Sequence, residues 1–107
     1  ESNEETALGV MAVVERVRAK LPKARIVVMG VFPFGEKPDA PHRVRALATN
    51  AMLAREVPKL GYATFLDLTS QQVGADGLYP KELARDYVHP TDKGYDLWAA
   101  ALSPHLP

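Results

Sequence analysis

Residues 25–31 of the chain are Arg25-Ile26-Val27-Val28-Met29-Gly30-Val31, and this segment indicates the fold class. Its apolar residues are continuous instead of alternating with polar ones, which is typical of a strand buried on both faces of a parallel sheet. A second strand is predicted at residues 62–68, Tyr62-Ala63-Thr64-Phe65-Leu66-Asp67-Leu68. Residues 41–57, which lie between the two strands, have the length of the crossover helix that parallel pairing requires. The sequence therefore predicts an α/β fold with a parallel sheet.

Three helices are predicted around these two strands. The first covers residues 2–21, where Ser2 and Glu5 fit a capping box. It carries an apolar stripe expected to face a core, Val10, Val13, Val14, Val17 and Leu21. The second runs from Pro41 to about Val57 and has a face of mainly small residues suited to packing on a sheet, Val44, Leu47, Ala48, Ala51 and Ala54. The third runs from the N-cap Thr91 to about His105.

The connecting segments are rich in turn residues. Residues 32–41 contain three prolines and a glycine and follow the carboxyl end of the first strand, where ligands bind in open α/β sheets. This loop could wall a pocket or serve as a stiff connector, and the sequence leaves both interpretations open. Residues 69–80 are predicted to form a polar loop, and residues 80–84 one helical turn.

Two strands are too few for an independent sheet, which normally needs three or more. The first strand is apolar throughout, so a partner is expected on each of its edges. We therefore expect further strands to lie alongside, supplied by a second polypeptide or a symmetry mate. The chain begins with Glu1 and not Met, which is consistent with a processed, trimmed or partial chain. Residues 1–107 are accordingly interpreted as a single, incomplete α/β domain.

Composition excludes several classes of function. Lys+Arg and Asp+Glu are 13 each and no basic run occurs, so nucleic acid is not an expected partner. No apolar run approaches the roughly 20 residues of a membrane span. Cysteine is absent, which excludes disulfides and thiolate metal sites. No His pair has metal-ligand spacing and no glycine-rich nucleotide turn occurs, so neither a metal nor a cofactor is expected.

The segment with the clearest chemical content is Asp86-Tyr87-Val88-His89-Pro90. A carboxylate three residues before an imidazole in a tight loop can hold the Nδ1 proton, which leaves Nε2 free to take a proton from a hydroxyl nucleophile. Asp86 and His89 are therefore the candidate catalytic residues. The spacing also fits a helix-initiating turn in which Asp86 caps the backbone and His89 is an ordinary surface residue.

The longer context favours the catalytic interpretation. The block from Asp86 through Pro90-Thr91-Asp92-Lys93-Gly94-Tyr95-Asp96-Leu97-Trp98-Ala99 resembles the last motif of the SGNH (GDSL-type) hydrolases, most closely the branch similar to platelet-activating-factor acetylhydrolases. Residues 25–34 and 66–68 resemble the fourth and fifth strands of that family. The resemblance implies a flavodoxin-like, three-layer fold with about five parallel strands. It also implies ester hydrolysis by a Ser-His-Asp triad, with Asp86 as the orienting acid and His89 as the general base.

The nucleophile and oxyanion hole of that family have no counterpart in this sequence. The serines are Ser2, Ser70 and Ser103, and none stands in a Gly-Asp-Ser block. The sequence is thus interpreted as the C-terminal portion of an acyl or O-acetyl esterase that acts on a small ester. The implied partner is a complementary N-terminal polypeptide of the same domain, which carries the serine. The alternatives are a non-catalytic binding or assembly module descended from this fold, and an unrelated flavodoxin-like regulatory domain.

Overall fold

The computed structural model describes residues 2–106, so Glu1 and Pro107 lie outside the described residues. Contacts along the chain separate two compact units. The first unit comprises residues up to Val31 together with Arg45–Asp67, and the second comprises Phe32–Val44 and the residues from Leu68 onward. The assignment of 1–107 to one incomplete domain stays a prediction.

The first unit contains both strands and the first helix. Helix α1 spans Asn3–Lys20, and its N-terminus forms the predicted capping box, with the Ser2 hydroxyl accepting from the Glu5 N–H and the Glu5 carboxylate accepting from the Ser2 N–H. Strands β1 (Ile26–Met29) and β2 (Ala63–Leu66) pair in parallel, with Ile26 opposite Ala63 and Met29 opposite Leu66. The predicted α/β fold with a two-stranded parallel sheet is therefore confirmed, with strands shorter than predicted.

Helix α2 spans Pro41–Glu56 and is followed by a 3-10 turn over Val57–Leu60. The prediction of its packing face was wrong, because Val44 and Leu47 are exposed. The buried face is the opposite one, and it carries Ala46, Thr49, Asn50 and Leu53. Asn50 is buried, and its side-chain amide hydrogen-bonds two backbone groups of Val31. It accepts from the N–H at 2.7 Å and donates to the carbonyl at 2.8 Å.

The core of the first unit is small. Its buried members come from α1, β1 and α2 with the turn that follows, and they are Ala7, Val14, Val28, Leu53 and Val57. The predicted α1 stripe is only partly buried, since Val13 and Leu21 are 62% and 59% exposed. Ten residues of α1 and β1 instead line an open cavity of about 560 Å³, which we name the α1–β1 groove; Val10, Val13, Val17, Ile26 and Val28 are among them.

The second unit carries the remaining helices. Helix α3 (Thr69–Gln72) forms within a segment predicted as loop, so residues 2–106 contain four α-helices instead of the predicted three. Helix α4 spans Asp92–Leu102 and continues into a 3-10 turn at Ser103–His105. The core of this unit is formed by Tyr79, Leu83 and Ala84, with Phe34 and Leu97 packed against them. Among the described helices, none is long and apolar enough to cross a bilayer.

Candidate active site

The Asp86–Pro90 turn brings the two predicted catalytic side chains together. One carboxylate oxygen of Asp86, Oδ2, lies 2.6 Å from Nδ1 of His89. The other oxygen, Oδ1, accepts the backbone N–H groups of Val88 at 3.0 Å and His89 at 2.7 Å. The carboxylate therefore caps the backbone and also binds the imidazole.

The electrostatics of the pair follow from these contacts. The hydrogen bond to the His89 ring, with the two backbone N–H bonds, holds the pKa of Asp86 well below its usual range. Asp86 is therefore a carboxylate at neutral pH, and a carboxylate can only accept. The facing Nδ1 must carry a proton, which leaves Nε2 as the acceptor nitrogen of the neutral ring. The side chain of His89 is 83% exposed, so Nε2 is open to an incoming group.

The backbone of the turn adopts a conformation that is uncommon for its residue type. Tyr87 has φ of +62°, in the left-handed region that side chains other than Gly, Asn and Asp rarely occupy. Two hydrogen bonds hold it, from its own N–H to the Ala84 carbonyl at 3.0 Å and from the Gly35 N–H to its carbonyl at 2.9 Å. The turn that pairs Asp86 with His89 is thus fixed from outside the motif as well as from within.

The start of α4 anchors the other end of the turn. The hydroxyl of the predicted N-cap Thr91 accepts from the Gly94 N–H and donates to the Glu82 carbonyl, and the Thr91 N–H donates to the Leu83 carbonyl. Gly94 is required here, since a Cβ at this position would lie 2.5 Å from the Leu83 carbonyl oxygen. His89 is consequently held two residues before the N-cap Thr91 of α4.

Two cavities adjoin this turn. The first, of about 400 Å³, is lined by Asp86 and His89 together with Arg85, Pro90, Thr91 and Asp92. The second, of about 570 Å³, has Tyr87 in its wall, with Glu36, Asp76, Tyr79 and Lys81 among its other lining residues. Lys81 Nζ lies 5.8 Å from the centre of the Tyr87 ring. Asp86 and His89, which we name the Asp86–His89 dyad, therefore line a concave surface large enough for a small substrate.

The loop after β1 combines the two roles left open by the sequence. Its aromatic rings pack inside the second unit, with Phe32 4.1 Å from Trp98 and Phe34 5.7 Å from Tyr79, measured between ring centres. This packing makes the loop a stiff connector and accounts for Trp98 without a bound ligand. The same loop also contributes Glu36 to a cavity wall.

The three serines lie outside the Asp86–Pro90 turn in the described structure. Ser2 caps α1, Ser70 lies in α3, and Ser103 begins the terminal 3-10 turn. Across residues 2–106, Asp86 is the side chain that hydrogen-bonds the His89 ring, and no serine hydroxyl is bonded to it. Nor do three His, Cys, Asp or Glu side chains converge anywhere in that range to hold a metal ion.

Sequence reasoning missed Arg43, which is 2% exposed. Its guanidinium donates to the carbonyls of Pro33, Gly35, Glu36 and Gly77. A signal was available, because a loop rich in proline has carbonyl acceptors but few N–H donors of its own to satisfy them. A single arginine beside that loop is a suitable donor.

Comparison with solved structures supports the α/β fold with a parallel sheet. A Bacteroides fragilis protein described as a candidate acylhydrolase superposes with a TM-score of 0.77 at 22% identity, over 97% of this chain and 51% of its own. A Streptococcus pneumoniae protein described as a candidate platelet activating factor gives 0.83 at 17% identity, over 98% and 52%.

The GDSL-like lipase/acylhydrolase family model matches residues 1–97, and the chain belongs to this family. Among curated relatives, the platelet-activating factor acetylhydrolase IB subunit alpha2 proteins of Homo sapiens and Rattus norvegicus are 36% identical over 92 residues, which is 86% of this chain. The human subunit alpha1 is 32% identical over the same length. The chain spans about 40% of the length of these relatives. The predicted resemblance to SGNH (GDSL-type) hydrolases is thereby confirmed.

Proposed function

We propose that the chain supplies the acid and the base of a Ser-His-Asp triad in a carboxylic ester hydrolase. The observation that carries the proposal is the 2.6 Å contact between Asp86 Oδ2 and His89 Nδ1, which leaves Nε2 exposed as the acceptor. Family membership supports acyl ester chemistry, and the names of the curated relatives suggest a short acyl group such as acetyl.

In this mechanism His89 shuttles one proton. Nε2 takes the proton of a serine hydroxyl as its oxygen attacks the ester carbonyl, and Asp86 stabilises the imidazolium that forms. The resulting tetrahedral oxyanion collapses, and Nε2 returns the proton to the departing alcohol to leave an acyl-serine. Water then repeats the sequence, with His89 as base and then acid, and releases the carboxylic acid and free serine. The steps require no metal or cofactor.

The serine and the oxyanion donors are assigned to a complementary N-terminal polypeptide of the same domain. What supports this partner is the surface that the first unit leaves open. Val10, Val13 and Val17 of α1 line the α1–β1 groove, and on these residues an additional strand would bury apolar area.

The free edge of β1 supports the same assignment. The Gly30 N–H donates to the Leu66 carbonyl, so alternation along the strand directs the N–H groups of Val27 and Met29 to the opposite edge. Across the described residues β1 pairs with β2 alone. The N–H and the carbonyl of Val31 are already hydrogen-bonded to the side chain of Asn50. An added parallel strand would therefore pair with Val27 and Met29 and end before Val31.

The experiment that tests the function is reconstitution. The chain is co-expressed with an N-terminal segment that carries a Gly-Asp-Ser block, and hydrolysis of p-nitrophenyl acetate is followed. We expect activity from the pair, none from the chain alone, and loss of activity with His89→Ala. Activity of the isolated chain that depends on His89 would refute the division of the triad. Full activity of the pair carrying His89→Ala would refute the role of His89.

A non-catalytic binding or assembly module descended from the same fold is the second candidate. It accounts for the absence of a serine hydroxyl on His89 within residues 2–106. It predicts that Asp86 and His89 are not hydrogen-bonded, whereas the two side chains lie 2.6 Å apart. Reconstituted material that binds its partner through the α1–β1 groove and never hydrolyses an ester would favour this alternative.

A further inference from the structure

Carbonyl groups from two loops converge on one buried guanidinium. Arg43 Nη2 donates to the carbonyls of Gly35 at 2.5 Å and Glu36 at 3.2 Å, and Nε donates to that of Pro33 at 3.3 Å. Nη1 donates to the Gly77 carbonyl in the loop that follows α3. A planar guanidinium with its donors in a fixed fork can hold several acceptors at set directions, which a point charge cannot.

Every hydrogen-bond acceptor around Arg43 is a backbone carbonyl. Burial lowers the pKa of Arg43, yet arginine stays charged because its ordinary pKa is so high. A buried cation must keep its acceptors, since losing them would leave an unpaired charge away from water. Arg43 therefore fixes the main chain of residues 33–36, and the amide of Gly35 belongs to that segment.

The backbone of Gly35 links Arg43 to the turn that holds Asp86 and His89. The Gly35 N–H donates at 2.9 Å to the carbonyl of Tyr87, the residue between Asp86 and His89 that has φ of +62°. Gly35 itself has φ of +105°, and a Cβ there would lie 2.6 Å from that of Ala40. Arg43 binds the carbonyl of Gly35 while the N–H of the same residue binds the turn.

We propose that Arg43 is a positioning residue for the Asp86–His89 pair. By holding the carbonyls of Gly35 and Glu36, it presents the Gly35 N–H to Tyr87 and so stabilises the left-handed turn in which the carboxylate reaches the imidazole. The effect of Arg43 on catalysis rests on the proposed function. The hydrogen-bonded link from Arg43 through Gly35 to Tyr87 does not depend on any activity.

The test is amide hydrogen exchange on the 107-residue chain with Arg43→Met, read together with the carboxyl titration of Asp86 by ¹³C NMR. We expect the protection of the Gly35 amide to fall about tenfold or more, while the Gly30 amide, bonded within the sheet, keeps its protection. We also expect the Asp86 midpoint to rise toward its ordinary value. Arg45→Met removes an exposed arginine two residues away and is the matched control, with neither change expected.

Arg43→Lys keeps the positive charge but lacks the planar, forked set of guanidinium donors. It tests the positioning role if Arg43→Met does not fold. We expect the Gly35 amide of Arg43→Lys to be less protected than that of the wild type, and wild-type protection in the lysine variant would overturn the proposal. A uniform loss of protection that includes Gly30 would also overturn it, because that result marks a general structural role.

The reconstituted enzyme separates this proposal from the proposed function. Arg43→Met is expected to lower kcat with little change in KM, and Arg43→Lys to restore part of the loss. Unchanged exchange and titration would refute the positioning role even if His89→Ala abolished hydrolysis. Conversely, loss of Gly35 protection with no dependence of hydrolysis on His89 would refute the proposed function and leave the structural link standing.

Discussion

Asp86 engages the imidazole of His89 with one carboxylate oxygen and the main chain of the same residue with the other, at 2.6 Å and 2.7 Å. This double contact fixes the ring relative to its own backbone. Because the oxygen that binds Nδ1 can only accept, the tautomer of the neutral ring is fixed as well. The arrangement is the one that the proposed general-base role of His89 requires, and its consequences can be measured.

Asp86→Asn should impair the reconstituted hydrolase severely. An amide can donate to Nδ1 and favour the wrong tautomer, and a loss of about 10²–10⁴ in kcat is expected from the role of such an acid. The measurement is the rate of p-nitrophenyl acetate hydrolysis. Asp96→Asn, in an exposed position of α4, is the control and should retain the wild-type rate. A rate within twofold of wild type for Asp86→Asn would contradict the assignment.

The pKa of Asp86 predicts how stability depends on pH. Its value in the folded chain is lowered by the His89 ring and by two backbone N–H bonds, so the folded state binds this proton less readily than the unfolded state. The resulting contribution to stability is present above the ordinary carboxyl pKa of about 4 and is lost as pH falls through the folded value. Urea denaturation from pH 6 downward should show wild type losing stability faster than Asp86→Asn. Parallel curves for the two proteins would refute this.

Gly94→Ala should destabilise the second unit. The added Cβ would lie 2.5 Å from the Leu83 carbonyl oxygen, a backbone atom that moves only if the turn before α4 shifts. Overpacking of this kind costs about 1–3 kcal/mol. Gly9→Ala in α1 is the control, because nothing lies within 4 Å of its added Cβ and alanine favours helix. Urea midpoints should therefore move in opposite directions, and equal midpoints for Gly94→Ala and wild type would contradict the contact.

Asn50→Ala should destabilise the first unit. The side-chain amide of Asn50 is buried and is hydrogen-bonded to both the N–H and the carbonyl of Val31. Leaving both groups without a partner costs about 1–3 kcal/mol for each group that stays buried. Asn50→Asp can accept from the N–H but cannot donate to the carbonyl, so thermal melting should rank it below wild type as well. A melting temperature of Asn50→Ala equal to that of wild type would show that Val31 finds other partners.

The sequence was informative where local chemistry determines structure. The apolar run at Ile26–Met29, the capping box at Ser2 and the cap at Thr91 were confirmed, because each depends on neighbours close in sequence. Periodicity identified α2 but assigned the wrong face. The polar residue Asn50 is buried there and bonds the backbone of Val31, a demand that a hydrophobic pattern does not reveal.

The candidate site, like the fold, could be predicted only in part from the sequence. The bond between Asp86 and His89 could be anticipated because three residues of turn suffice to make it. The proline-rich loop indicated a need for a nearby donor, but the bond from Arg43 to the Gly77 carbonyl, 34 residues away in sequence, could not be anticipated. The exposure of Val13 and Leu21 likewise contradicts the predicted stripe within this chain. A partner strand in the α1–β1 groove would cover the groove-lining residue Val13.

The most direct test of the dyad is the tautomer of His89, measured by ¹⁵N NMR of the imidazole ring at a pH where the ring is neutral. We expect Nδ1 to carry the proton and Nε2 to resonate as the unprotonated nitrogen. Asp86→Asn should abolish this preference. A wild-type ring protonated mainly at Nε2, unchanged by Asp86→Asn, would refute the proposal that Asp86 orients His89 as a base.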